Sequence, residues 1–154
     1  MQDKVMELIE EFEARLKSLK EEYNDEGFKP EYGDMYWVVN SSGEANNVTW
    51  ADHVYDETTL KNNALFKTKE KAEFEAERLK VLRELEKLGR AFKPHEDNYV
   101  ISFSHNSGLK VVGYVTTVTS YGNYYFDSEE EAKKAIDKIG EERIKKYLFR
   151  IDEE

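Results

Sequence analysis

The spacing of apolar and polar residues predicts an amphipathic helix over residues 3–26. Its apolar positions recur at alternating intervals of four and three residues, which is the heptad seam of a coiled coil. The seam consists of Val5, Ile9, Phe12, Leu16, Leu19 and Tyr23. Gly27 ends the helix, and Pro30 prevents it from resuming. Two interpretations fit this seam: it packs against the protein's own sheet, or it pairs with another copy in a short coiled coil.

After this helix, the pattern changes to short β-type stretches that are followed by a second helix. The predicted strands are residues 34–40, 44–50 and 64–66, with a turn at Ser41-Ser42-Gly43 between the first two. Residues 51–63 fit either a helical turn or a loop. Thr68 is the expected N-cap of the second helix, which extends to about Leu88 with a wide apolar stripe.

The same order then returns in the rest of the chain. Here the predicted strands are residues 98–104 and 109–119, joined by Asn106-Ser107-Gly108, and a short stretch at 124–126 after a turn at Gly122-Asn123. Ser128 and Glu131 form a capping-box pattern, so a helix is expected to begin there. Gly140 ends it, and a further short helix is predicted over 141–149.

Two sequence elements occur twice and suggest a duplication. Phe28-Lys29-Pro30 returns 64 residues later as Phe92-Lys93-Pro94, and residues 66–72 match residues 126–132, 60 positions later. A repeat of this length is typical of a supersecondary unit used twice. We therefore predict an α+β fold with mainly antiparallel pairing. Its predicted parts are an N-terminal amphipathic helix at 1–27, a first ββ(β)α repeat at 28–89, and a second repeat with a C-terminal helix at 90–154.

Charge and composition narrow the classes of partner. The formal net charge of −10 repels nucleic acid and favours basic surfaces, including those of proteins that grip DNA or RNA. The chain has no Cys, which excludes disulfides and thiolate metal sites. It also lacks the apolar segment of a signal peptide and a run long enough to cross a membrane. We expect no direct nucleic-acid partner and no membrane partner.

Motifs of catalysis are absent from the sequence. There is no phosphate-binding glycine loop, nucleophile elbow or Cys nucleophile. Of the three histidines, His95 and His105 are expected on the surface, and none has metal-ligand spacing. His53 with Asp52 and Asp56 lacks an identifiable fourth ligand. The sequence therefore predicts a protein that is not an enzyme, with no catalytic residue, cofactor or metal site.

Aromatic and acidic residues are the best candidates for a binding surface. Stiff aromatic side chains are good interface anchors, and the run from Tyr121 to Tyr125 is the strongest candidate for an exposed recognition loop. The predicted anchors are Trp37, Tyr121, Tyr124 and Tyr125, and the predicted charge donors are Glu10, Glu21, Glu129 and Glu130. The alternative is that the aromatics fill the core and the carboxylates form an ordinary solvated helix surface.

Three segments carry a resemblance to a known class of proteins. They are residues 29–37 (KPEYGDMYW), 66–72 (FKTKEKA) and 125–132 (YFDSEEEA). With these segments, residues 28–149 resemble small accessory proteins of phages of Gram-positive bacteria. The resemblance implies a phage origin and action in the cytoplasm of a bacterial host. Small acidic phage proteins often resemble inhibitors of host defence, including inhibitors of CRISPR effectors and restriction enzymes.

The leading functional hypothesis is a non-catalytic inhibitor that mimics nucleic acid and occupies a nucleic-acid-binding groove of a host defence protein. A second hypothesis is a sponge that sequesters a nucleotide signal, which requires cationic residues to converge: Lys110, Arg143, Lys145 and Lys146. A third is a structural or regulatory phage protein that assembles through residues 5–23, for example as a homodimer.

Overall fold

The computed structural model describes the backbone of residues 2–23, 27–118 and 124–152, and their side chains except those of 20–23. The described residues form five α-helices and two small antiparallel sheets, so the predicted α+β class is confirmed. Contacts divide the chain into two compact units. The first unit comprises Met1–Val38 and Ala45–Ala72, and the second unit comprises Val39–Glu44 and Glu73–Glu154.

The first unit begins with helix α1 and continues with a β-hairpin and a short helix. Its elements are α1 (Gln2–Tyr23), β1 (Met35–Val39), β2 (Ala45–Thr49) and α2 (Val54–Lys61). The alternating burial of β1 places Tyr36 and Val38 in a small core with Trp50. On the other side of β1, Trp37 and Phe66 exchange backbone hydrogen bonds of 2.8 Å. The predicted short strand at 64–66 is thus a single bridge.

The second unit contains a three-stranded sheet covered by helices. Its elements are α3 (Lys69–Leu88, whose first turn belongs to the first unit), β3 (Asp97–Ser104), β4 (Gly108–Val115), β5 (Tyr125–Phe126), α4 (Glu129–Ile139) and α5 (Glu141–Arg143). A π-helical turn, Ile144–Leu148, follows α5. The sheet order is β4-β3-β5, and Val81 and Leu85 of α3 share its core with Phe126 and Ile139.

Local capping signals account for where the helices begin. The Thr68 hydroxyl accepts a hydrogen bond from Lys71 N at 3.3 Å, and the Ser128 hydroxyl accepts one from Glu131 N at 3.1 Å. The predicted N-caps of α3 and α4 are therefore confirmed. The ambiguous residues 51–63 contain α2, which begins after His53: its Nδ1 accepts from Tyr55 N at 3.2 Å.

Several predicted boundaries are corrected by the structure. Strand β4 ends at Val115 instead of 119, because the Thr116 hydroxyl accepts from Val118 N at 3.1 Å and turns the chain. The predicted helix over 141–149 is α-helical only at its start and widens into the π-turn, in which Phe149 N donates to Ile144 O. The predicted turn at 122–123 lies outside the described residues.

The seam of α1 is not buried. Its large apolar side chains remain between 40% and 66% exposed in the described range 2–19. They are Val5, Met6, Leu8, Ile9, Phe12, Leu16 and Leu19. The interpretation in which this seam packs against the protein's own sheet is therefore wrong.

Candidate functional site

Helix α1 presents an exposed apolar stripe along one side and exposed carboxylates around the rest of the helix, which together we call the α1 surface. The apolar side chains are the seven given above, and the carboxylates are Glu7, Glu10, Glu11 and Glu13, of which Glu7 and Glu10 lie on the side of the helix opposite the seam. An isolated helix of this length is only marginally stable in water, and the burial of an apolar face is what usually stabilises one. The apolar stripe of the α1 surface is therefore available for burial against another surface.

The predicted charge donors are accessible wherever their side chains are described. Glu10 is exposed on α1, whereas Glu21 lies on α1 with its side chain outside the described set. Glu129 and Glu130 are exposed in the first turn of α4, at the positive end of its helix dipole. Glu129 forms an ion pair of 2.7 Å with Lys133. Part of the negative charge of α4 is thus neutralised locally.

The predicted aromatic anchors differ in accessibility. Trp37 is half-buried, with Lys69 Nζ 6.0 Å from its ring centroid. Tyr124 is half-buried against the core of the second unit, and burial, followed by the nearby Glu86 carboxylate, raises the pKa of its hydroxyl. Tyr125 is only 2% exposed and packs edge-on against Phe92, so it is removed from the candidate anchors. Tyr121 lies outside the described residues.

These residues do not all belong to one unit. Glu10, Glu21 and Trp37 lie in the first unit, and Tyr124, Glu129 and Glu130 lie in the second. Within the second unit, β5 leads directly into α4, which keeps Tyr124 and the two glutamates close in the chain. A role for them in partner binding remains a prediction.

The cluster of His53, Asp52 and Asp56 has a structural role in the first unit. Asp56 is buried and accepts hydrogen bonds from the Tyr36 hydroxyl at 2.6 Å and from Ala51 N and His53 N at 3.0 Å. The Tyr36 hydrogen bond is the main reason that the pKa of Asp56 is lowered, while burial raises the pKa of Tyr36. Asp52 accepts from Trp50 Nε1 at 2.6 Å. Asp56 therefore completes the capping box of α2 and holds Tyr36, while Asp52 holds Trp50.

The second unit carries a groove that the sequence analysis did not assign. It has a volume of about 850 Å³ and lies between the tip of the β3–β4 hairpin and the C-terminal helical turns. Phe103 and His105 come from the hairpin, whereas Arg143, Lys145, Lys146 and Tyr147 come from α5 and the π-turn. Three of the four cations required by the sponge hypothesis thus line one groove, and Lys110 does not.

The C-terminal segment supplies the remaining wall of this groove. Arg150 has a positive φ of 54°, a left-handed conformation that ends the helical turns. Ile151 N then donates to Lys145 O at 3.0 Å, which folds the chain back so that Ile151 and Asp152 join the lining. The groove therefore combines aromatic, cationic and acidic side chains.

The groove cations are held by neighbouring carboxylates to different degrees. Lys145 lies 3.1 Å from Glu142 and 3.3 Å from Glu141, and these contacts raise the pKa of its ammonium group. Arg143 has longer ion pairs of 3.6 Å with Glu77 and 3.5 Å with Glu84. Lys146 makes no ion pair within the described part of the chain, and its ammonium lies 5.4 Å from the Tyr147 ring centroid.

Sequence reasoning missed the aromatic half of this groove. Arg143, Lys145 and Lys146 are adjacent in the chain and were recognisable as a cationic cluster. Phe103 and His105 lie about 40 residues away, and their proximity to that cluster depends on the return of the chain through α4 and α5. The only signal in the sequence was the position of His105 beside a hairpin turn.

Neither similarity to known proteins nor another cluster of side chains among the described residues assigns a function to this chain. No protein-family model matches the chain, and no significant match was found among curated proteins or solved structures. Across residues 2–23, 27–118 and 124–152, no cluster of His, Asp and Glu could hold a metal ion. No helix in the same ranges has both the length and the apolar character to cross a membrane.

Proposed function

We propose that this protein is a non-catalytic binding protein of phage origin that acts in the bacterial cytoplasm. It docks on a basic host defence protein and occupies a groove that otherwise binds nucleic acid. The α1 surface is the observation that carries this proposal. It combines an exposed apolar stripe with several exposed carboxylates on one 22-residue helix. Such a helix can supply both apolar contact and charge complementarity to a basic groove.

The charge of the molecule supports the same partner class. Its net charge of −10 favours encounter with a basic surface and disfavours contact with free nucleic acid. Glu129 and Glu130 add a second exposed acidic turn on α4. Trp37 and Tyr124 are the remaining described aromatic candidates for the contact, since both retain accessible surface.

A duplication of residues 28–89 and 90–154 is part of this proposal. Trp37 pairs with Phe66, and Tyr99 pairs with Phe126, both in antiparallel orientation. In each half, the first strand of a hairpin therefore also pairs with a short third segment. A helix with Thr or Ser as its N-cap follows that segment. Helix α2 distinguishes the first half, because no helix occurs at the matching place among the described residues.

Capture from a bacterial host extract tests the proposed docking. We expect the immobilised protein to retain a basic, nucleic-acid-binding protein at low salt and to release it at high salt, because screening weakens exposed charge pairs. The reversal Glu10→Lys should reduce capture, and so should Phe12→Glu, which places a charge in the apolar stripe. Glu44→Lys is the matched control, since it makes the same charge change at an exposed residue of the β1–β2 turn, outside α1.

Two outcomes would contradict the proposal. Retention that is the same at low and high salt would reject the mimicry of nucleic acid. If Glu44→Lys reduces capture of the host protein as much as Glu10→Lys does, then the total charge of the molecule, and not the α1 surface, directs the binding. A third case is that a second copy of the chain covers the α1 surface. Sedimentation of the purified protein distinguishes this case, because it would show a dimer.

A further inference from the structure

We propose that the groove of the second unit binds a nucleoside monophosphate, with the phosphate at Lys146 and the base beside Phe103 and Tyr147. The proposal rests on the groove alone and is independent of docking through α1. The volume of about 850 Å³ lies within the usual range of small-molecule sites. What selects the ligand class is the arrangement of cations and aromatic rings along its walls.

The phosphate end of the groove is formed by the C-terminal helical turns. Lys146 is exposed and makes no ion pair in the described residues, so its ammonium group is available to an anion. Arg143 also lines this end, where it pairs with Glu77 at 3.6 Å and Glu84 at 3.5 Å and its Nη1 donates to Ile139 O at 3.2 Å, so Lys146 is the main donor to the phosphate. Hydrogen bonds from such cations to phosphate oxygens are among the strongest in proteins.

Lys145 positions this end of the groove and contributes less to binding. Its ammonium is shared between Glu141 and Glu142 at 3.3 and 3.1 Å, and its side chain is mostly covered. The π-helical turn sets Lys145, Lys146 and Tyr147 side by side along the groove. Turns of this kind are rare and frequently occur at functional sites.

The base end of the groove is aromatic and well supported. The Phe103 ring packs at a centroid distance of 5.1 Å from His105 and 6.0 Å from Phe149. The Tyr147 ring lies 5.2 Å from Phe74. Phe103 and Tyr147 are both half-buried, so each ring is held in place while part of its surface stays accessible. Any of the nucleobases can stack on such rings, because every base has a π-face.

The carboxylates of the lining limit how much negative charge the ligand can carry. The cations Arg143, Lys145 and Lys146 face Glu142 and Asp152. Glu77, Glu84 and Glu141 also lie beside these cations, so little unbalanced positive charge remains. This suits one phosphate group better than a polyphosphate chain. Asp152 and the Ser104 hydroxyl can accept hydrogen bonds from ribose hydroxyls or base amino groups.

Calorimetric titration of the purified full chain with adenosine 5′-monophosphate, adenosine and inorganic phosphate tests this assignment. We expect saturable binding of the monophosphate, and weaker binding of adenosine and of phosphate, because each offers only one of the two contacts. Lys146→Ala should weaken binding of the monophosphate about tenfold or more, which is the effect of losing one charged hydrogen bond. Lys134→Ala is the matched control, because Lys134 is exposed on α4 and does not line the groove.

The following results would overturn the inference. They are no saturation by the monophosphate up to about 1 mM, equal affinity for Lys146→Ala and Lys134→Ala, or inorganic phosphate binding as tightly as the nucleotide. Phe12→Glu separates this inference from the proposed function. That variant should lose capture of the host protein while its affinity for the monophosphate stays the same.

Discussion

Asn98 shows how one buried polar side chain can organise part of the second unit. Its Oδ1 accepts hydrogen bonds from Arg90 Nη1 at 2.8 Å and Lys93 N at 3.1 Å. Its Nδ2 donates to Lys93 O at 2.8 Å and Glu96 O at 2.9 Å. Because all four hydrogen-bonding capacities are used, a fully buried amide is tolerated here. The side chain thereby secures the loop that leads into β3.

Gly113 is required by the ring that packs over it. On the adjacent strand Tyr99 pairs with Gly113, and a Cβ at position 113 would lie 2.5 Å from Tyr99 Cε1. We predict that Gly113→Ala destabilises the protein by about 1–3 kcal/mol, because the half-buried Tyr99 ring must move away from its core contacts. Chemical denaturation of the variant and of the wild type measures this difference.

A double variant keeps that prediction specific. Tyr99→Val removes the ring, so the added cost of Gly113→Ala should nearly vanish in the Tyr99→Val background. If Gly113→Ala costs the same amount in both backgrounds, the effect comes from the backbone of β4 and the proposed clash is wrong.

At the scale of elements, the strands are short and depend on their neighbours. β1 and β2 have five residues each, and β5 has two. Sheets of this size are marginal unless a face packs against other elements. In the second unit α3 and α4 provide that cover, through Val81, Leu85, Ala132 and Ala135. Helix α1 differs because its apolar side chains are exposed.

We therefore predict opposite responses to substitutions in α1 and α3. Phe12→Ser should change the free energy of unfolding by no more than about 0.5 kcal/mol, because the Phe12 side chain is 66% exposed. Leu85→Ala should cost about 2–5 kcal/mol, because Leu85 is fully buried in the core of the second unit. Thermal unfolding of dilute protein compares the two variants.

Concentration provides the control for this comparison. Dilution removes any contribution from self-association through residues 5–23, which would stabilise the protein by mass action. A large loss of stability in dilute Phe12→Ser would mean that the α1 stripe is covered within the single chain. That result would remove the basis of the α1 surface.

At the scale of the whole molecule, acidic pH acts on two separate polar clusters. The Tyr36 hydroxyl lowers the pKa of Asp56 in the first unit. Arg90 lowers the pKa of Asp127 in the second. The ordinary pKa of an Asp is about 3.9. Below about pH 3.9 the two aspartates bind protons in the unfolded chain before they do so in the folded protein. The stability that the two carboxylates contribute is therefore fully present above this pH and is lost as the pH falls through their lowered pKa values in the folded protein.

We predict that the melting temperature falls by about 5 °C or more between pH 5 and pH 2.5. Differential scanning calorimetry across this range measures the change. Tyr36→Phe is the informative variant, since it removes the hydroxyl that stabilises the Asp56 carboxylate. It should cost about 1.5–3 kcal/mol near neutral pH, and its acid loss should be smaller than that of the wild type.

The opposite pattern would contradict this account of the acid response. A melting temperature that is constant down to pH 2.5 would mean that neither carboxylate is stabilised in the folded state. An acid loss of equal size in Tyr36→Phe and wild type would assign the effect to other carboxylates, such as Glu77, whose pKa is lowered by Lys80.

Local patterns in the sequence determined the order of elements and most helix starts. Alternation predicted β1 and β3, and Thr68 and Ser128 correctly marked α3 and α4, because periodicity and capping act over only a few residues. The same local reasoning left residues 51–63 open. Helix α2 forms there because the buried Asp56 caps it while accepting from Tyr36, 20 positions earlier in the chain.

Only the tertiary structure decided which surfaces are available. It buries Tyr125, leaves the α1 stripe exposed, and brings Phe103 to the cations at 143, 145 and 146. Each of these outcomes depends on contacts between residues far apart in the chain, so the same apolar or aromatic residue type can end in the core or on a surface. Composition set the acidic character of the molecule, and folding determined where that charge meets accessible apolar groups.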